Sequence, residues 1–211
     1  MNGKFLFRSL SYFRECEDAA RGDQFEGTSK FRPSGGLLGT NHTQRKRFTL
    51  ADHSLESSVN AGEIFVFCTS RTFDACLWRE FNAVTCVEIT RIAALCSRIQ
   101  AALPHDAVFT AKRVQYYPET EAGSTRWALP DVIATSKLER WEKQDEYRFM
   151  FSLTDALSFE KVQVRLVHDS YKRTPNRQKH EAYLLDVGSL HDICRFRELS
   201  FNDMLKMEPT K

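Results

Sequence analysis

Arg8, Ser70 and Glu146 each fall at the end of a segment that reads as a strand. Arg8 closes Phe5-Leu6-Phe7, Ser70 closes Ile64-Phe65-Val66-Phe67-Cys68-Thr69, and Glu146 heads Tyr147-Arg148-Phe149-Met150-Phe151. A cation, a hydroxyl and a carboxylate are the types needed to split the glycosidic bond of NAD. The cation holds the anionic part of the dinucleotide, the hydroxyl positions the nicotinamide ribose, and the carboxylate stabilises an oxocarbenium-like centre. Charge that develops only in the transition state is what a pre-placed carboxylate stabilises, and losing one costs on the order of 10²-fold or more in rate. Gln144 stands two positions before Glu146, so extended backbone would put both side chains on one face.

The ordered set Phe7-Arg8, Cys68-Thr69-Ser70 and Gln144-Asp145-Glu146 resembles the mono-ADP-ribosyltransferase superfamily of the Arg-Ser-Glu type, whose motifs read aromatic-Arg, Ser-Thr-Ser and Glu/Gln-x-Glu. The resemblance implies an ADP-ribosyltransferase-like fold with NAD as cofactor. It implies Glu146, Gln144 and Arg8 as catalytic residues, and Arg8, Ser70 and Thr69 as the NAD-binding set. Gln at 144 implies a macromolecular acceptor other than arginine, a nucleic acid or a protein. Cys68 stands where the family has its first Ser. The chain also resembles a broad bacterial family of uncharacterised function with an early Asp-Pro-Phe-Glu turn and a late Trp-x-x-Glu-x-Glu-Tyr-Arg motif. Asp23-Gln24-Phe25-Glu26 and Trp141-x-x-Gln144-x-Glu146-Tyr147-Arg148 correspond to those motifs, with Gln24 and Gln144 as departures.

Other chemistries compete. Glu15, Glu17, Asp18, Asp23 and Glu26 cluster around Arg21-Gly22, and carboxylate clusters bind Mg²⁺ for phosphodiester hydrolysis, so a metal-dependent nuclease using Asp23 and Glu26 is the alternative. Helical spacing of Glu17, Asp18 and Arg21 favours a solvated face instead. Taken singly, Arg8 reads as a salt-bridge partner, Ser70 as a strand-end or cap hydroxyl, and Glu146 as a partner of Arg148 or Lys143. Basic runs at Gln44-Arg45-Lys46-Arg47 and from Lys172 to His180 supply cations for phosphate contacts. A non-catalytic binding module in phage defence or counter-defence is the third class, with the long basic stretch 23–60 as its contact surface.

These residues need a scaffold. At 211 residues and 42 % hydrophobic content the chain can bury a substantial core, so one domain spanning 1–211 suffices. The net charge of +2 is too small to argue for nucleic acid or membrane attraction by itself. Six cysteines without CxxC pairs, and six histidines without HxH or HExxH, give no metal motif. No apolar run approaches the roughly 18 residues a membrane span needs, and the N-terminus lacks a signal-peptide pattern. The expectation is a cytoplasmic protein with reduced thiols.

The pattern predicts strands at 5–8, 63–70, 84–90, 108–117, 146–153, 162–167 and 183–187. Helices are predicted at 12–21, 73–81, 91–103, 132–141 and 192–204. From Asp23 to Asn60 the Gly, Ser, Thr, Asn and Lys/Arg content predicts a long basic loop. Strands and helices mix without a βαβ period, which predicts an α+β fold with a mixed central sheet flanked by helices.

Overall fold

The computed structural model describes residues 2–16, 21–123, 125–171 and 180–198. In chain order the first half runs β1 (Asn2–Ser9), α1 (Leu10–Glu15), β2 (Thr28–Phe31), β3 (Leu37–Asn41), β4 (Lys46–Leu50), β5 (His53–Ser58), β6 (Phe65–Ser70), α2 (Ala75–Glu80), β7 (Thr85–Ile89) and α3 (Ile92–Ala102). The second half runs β8 (Val108–Arg113), β9 (Gln115–Tyr117), α4 (Pro130–Ile133), β10 (Ser136–Leu138), β11 (Glu146–Ser152), β12 (Gln163–His168), β13 (Ala182–Ser189) and β14 (Cys194–Glu198). The fold is α+β and mostly strands.

Five strands in the order β13-β1-β6-β11-β8 make the central sheet. Every pairing in it is antiparallel, so the expected mixed sheet is corrected: the one parallel pair among the described residues is β9 with β10, outside the central sheet. Alternation assigns side chains to its two faces. One face carries Phe5, Phe7, Phe65, Phe149, Phe151 and Leu185, which pack with Leu95 and Ile99 of α3. Phe65 stacks on Phe151 at 5.3 Å and Phe7 meets Phe151 edge-on at 5.1 Å, an arrangement that adds about 0.5–1.5 kcal/mol per pair beyond area burial. The other face carries Val66 and Met150, packed with Leu10 of α1, Ile64, Ile133 and Ala134.

The expected loop at 23–60 is also corrected. It contains four strands: β3 pairs with β4 as a hairpin, and β2 and β5 join β12 in a three-stranded sheet. Most β3 and β4 side chains are exposed, so no apolar alternation marked them. The helix expected at 132–141 divides into α4, the short β10 and a 3₁₀ segment Glu139–Gln144. Within the helix expected at 192–204, the described part forms β14, paired antiparallel with β7. The run 172–179 and residues 199–204 lie outside the described residues. No helix among the described residues is long and apolar enough to cross a membrane.

Candidate functional site

The two motif segments, remote in sequence, meet on the face opposite the phenylalanines. Asp23 Oδ1 accepts the Phe25 amide at 3.0 Å, closing an Asx turn. Gly27 follows with φ +66°, and a Cβ there would sit 3.2 Å from both Leu10 Cδ1 and Val59 Cγ2. That turn directs Glu26 inward. On the other side Asp145 adopts φ 37°, ψ 55° after the 3₁₀ segment, a left-handed conformation that Asp tolerates better than most residues. It swings the chain into β11, whose first residue is Glu146, while the Asp145 side chain reaches Arg71 and Arg113, each at 3.3 Å.

Four charged side chains then close on one another. Glu146 Oε1 lies 2.6 Å from Arg148 Nε and Oε2 lies 2.8 Å from Lys137 Nζ. Glu26 lies 2.6 Å from Arg148 Nη2 and 3.5 Å from Lys137. Arg148 also donates to the Ala134 carbonyl at 2.5 Å, and Lys137 to Gln144 Oε1 at 3.0 Å. All are buried, Arg148 completely. Two carboxylates against two cations leave the group neutral, the condition under which charges survive desolvation that costs several kcal/mol per ion. Arg140 lies 3.6 Å from Asp23, and Lys137 5.6 Å from the centroid of the Trp141 ring.

The carboxyls of the two glutamates are pushed apart. Burial raises Glu26 above the usual carboxylate range, only partly opposed by Arg148 and Lys137. Burial would raise Glu146 too, but Arg148 and Lys137 beside it more than reverse that and hold it well below the range. Burial pushes the Cys68 thiol up, and Glu146 adds to the effect. The same two cations therefore leave opposite net effects on the two carboxyls: burial outweighs them at Glu26, and they outweigh burial at Glu146.

Ser70 and Glu146 are direct cross-strand partners on β6 and β11, whereas Arg8 pairs with Val66, four positions along β6. Arg8, Ser70 and Glu146 therefore share a face, with Arg8 displaced by roughly 13 Å at about 3.3 Å per residue. Arg8 stacks on the Tyr12 ring at 4.8 Å. Ser70 is exposed and donates to the Thr72 carbonyl at 3.2 Å. Thr69 is on the opposite face by alternation, its hydroxyl donating to the Tyr147 carbonyl at 3.1 Å, so the expected NAD-binding pair Thr69 and Ser70 is split. Gln144 and Glu146 do not share a face by alternation either, because the left-handed Asp145 separates them. They meet instead through Lys137. β1 pairs with β6 only at Arg8↔Val66 and Ser9↔Phe65, so beyond Val66 toward Ser70 the two strands are unpaired.

A cavity of about 1210 Å³ lies between β5, β12 and α1, lined by Arg14, Glu15, Glu56, Asn60, Arg165 and His180 among others, and by none of Arg8, Thr69, Ser70, Gln144 or Glu146. Among the described residues no group of three or more His, Cys, Asp or Glu is arranged to hold a metal ion. Asp23 and Glu26 face cations rather than an acid cluster, and Glu17 and Asp18 lie outside the described residues. Lys137 was not singled out from sequence; nothing local to Ser136-Lys137-Leu138 signals partners at 26 and 146. Arg148 was legible as an i, i+2 strand partner of Glu146. No family model, curated protein or solved structure matches this chain.

Proposed function

We propose that this protein is an NAD-dependent ADP-ribosyltransferase-like enzyme of the cytoplasm, acting on a macromolecule, nucleic acid or protein, through something other than an arginine side chain. The observation that carries the reading is the adjacency of β1, β6 and β11 in one sheet, with Ser70 and Glu146 as register partners and Arg8 on the same face. The unpaired stretch between β1 and β6 gives a dinucleotide an approach to that face.

On this reading Arg8 holds the diphosphate, Ser70 braces the nicotinamide ribose and Glu146 faces the anomeric carbon. The C1′–N bond breaks with its electron pair leaving on nicotinamide, the oxocarbenium-like centre is stabilised by a carboxylate kept ionised by Arg148 and Lys137, and the acceptor bonds to C1′ and loses a proton. Gln144, fixed by Lys137, orients the acceptor.

The test is nicotinamide release and label transfer from NAD in the presence of cell extract. Ser70→Ala is the informative variant, because Ser70 is exposed and its loss leaves the fold intact; the expected result is a drop on the order of 10-fold or more. Glu146→Gln should abolish turnover, with its melting temperature measured alongside. No release by wild type and no NAD-induced rise in melting temperature sinks the reading.

A second reading is favoured by the engagement of both Glu146 oxygens and by the position of the large cavity away from it. There the ion network is purely structural and the protein is a binding module. An NAD-independent partner retained by the Glu146→Gln protein would favour it.

A further inference from the structure

The 1210 Å³ cavity holds a second set of reactive types that the glutamate centre does not use. Ser11 Oγ lies 3.3 Å from His180 Nδ1, and His180 Nε2 lies 3.1 Å from Glu15 Oε2. All three side chains line the cavity. Ser11 and Glu15 are four apart on α1, so one helical face presents both. His180 is fixed against them from another part of the chain: the neighbouring Glu181 carbonyl accepts the Ser9 amide at 3.2 Å, and the Tyr12 ring meets the imidazole edge-on at 5.9 Å.

The chemistry follows from the imidazole. A neutral histidine has one nitrogen that donates and one that accepts. In the tautomer whose Nε2–H points at Glu15, the Nδ1 lone pair faces the Ser11 hydroxyl. Nucleophile on base, base on orienting carboxylate and an adjoining cavity are the three requirements of an activated serine. The ring nitrogens are used in the reverse sense from the serine-protease arrangement, where the serine meets Nε2, but the proton transfer is equivalent. A separation of 3.3 Å is at the loose end expected before substrate is bound.

We propose that Ser11, His180 and Glu15 form a nucleophilic triad that hydrolyses carboxylic esters in this cavity. Ser11 Oγ bonds to the ester carbonyl carbon as its proton passes to His180 Nδ1. The bond to the alcohol oxygen then breaks, and the alcohol leaves with that proton. Water attacks the acyl-serine by the same route, giving the acid and restoring Ser11, so ester and water become acid and alcohol with no other reactant. The Asn60 amide and Arg165 guanidinium line the same cavity and are the donor types available to the oxyanion.

The experiment uses the full chain with p-nitrophenyl acetate as substrate and a fluorophosphonate as covalent probe, the adduct being located by peptide mass spectrometry. The expected result is a single adduct on Ser11 and hydrolysis above the buffer rate, both lost in Ser11→Ala and reduced on the order of 10²-fold or more in His180→Gln. Glu15→Gln should fall between. Ser9, whose hydroxyl is 2.9 Å from that of Ser11 but which is fully buried, is the internal control. A wild-type protein with a cooperative melt that carries no adduct, an adduct on Ser9 or elsewhere, or unchanged hydrolysis in Ser11→Ala overturns the proposal. Because the adduct is read on the wild type, a misfolding variant does not rescue it.

Discussion

Removing Lys137 is the sharpest probe of the buried charge cluster. Lys137 is 6 % exposed and lies 2.8 Å from Glu146, 3.0 Å from Gln144 and 3.5 Å from Glu26. Lys137→Met keeps most of the side-chain length but leaves two buried carboxylates sharing one guanidinium, and breaking a buried pair in this way costs about 3–5 kcal/mol. The loss depends on pH, through Glu26. Its carboxyl is already raised in the folded protein, and a group with a raised folded value stabilises the fold below its unfolded value and loses that contribution as pH climbs through the folded one. Without Lys137 the elevation grows, each further unit being worth about 1.4 kcal/mol. Urea unfolding followed by tryptophan fluorescence should therefore show the full deficit at pH 8 and a smaller one at pH 5. Adding Glu26→Gln restores neutrality, so the double variant should recover at least 1 kcal/mol over the sum of the single effects. A deficit below about 1 kcal/mol that is the same at both pH values, with no coupling in the double variant, would refute the reasoning.

Three further outcomes follow from the same geometry. Glu146→Gln should cost about 3–5 kcal/mol at pH 7; the depressed carboxyl contributes above its ordinary value and fades as pH falls toward the folded one, so the variant's stability curve should be flatter on the acid side in urea titrations. Gly27→Ala should lose about 1–3 kcal/mol, from positive φ and the crowding against Leu10 and Val59, measured by thermal melting. Phe151→Ala, which removes a fully buried ring in contact with Phe7 and Phe65, should cost about 3–5 kcal/mol in urea unfolding.

Where one face of a segment is dominated by large apolar residues, the sequence was readable. β1, β6, β11 and β13 stand where the aromatic and β-branched runs predicted them, and α3 follows the spacing of Leu95 and Ile99, both fully buried. β2 and β5 were hidden because their sequences, such as His-Ser-Leu-Glu-Ser-Ser in β5, carry polar residues on buried positions: Thr28, Ser29, Ser54, Glu56 and Ser57 are all buried. Such strands are held by pairing and by contacts like the Ser57 hydroxyl on the Trp127 carbonyl at 2.9 Å, which no periodicity announces. The site divides in the same way. Glu146 with Arg148 follows from strand alternation, while Glu26 owes its position to the turn at Gly27, Lys137 to a short strand too brief to leave a pattern, and His180 to the bond between the Glu181 carbonyl and the Ser9 amide.

The charge cluster also constrains how the sheet assembles. Sliding β11 by a single position would rotate Glu146 and Arg148 among the phenyl rings under α3 and leave Glu26 and Lys137 without their counter-ions, while Phe149 would turn into the polar pocket. A misregistered sheet thus forfeits ionic compensation and aromatic packing together, whereas a purely apolar strand would tolerate slippage far better. The buried ions act as a key for strand alignment.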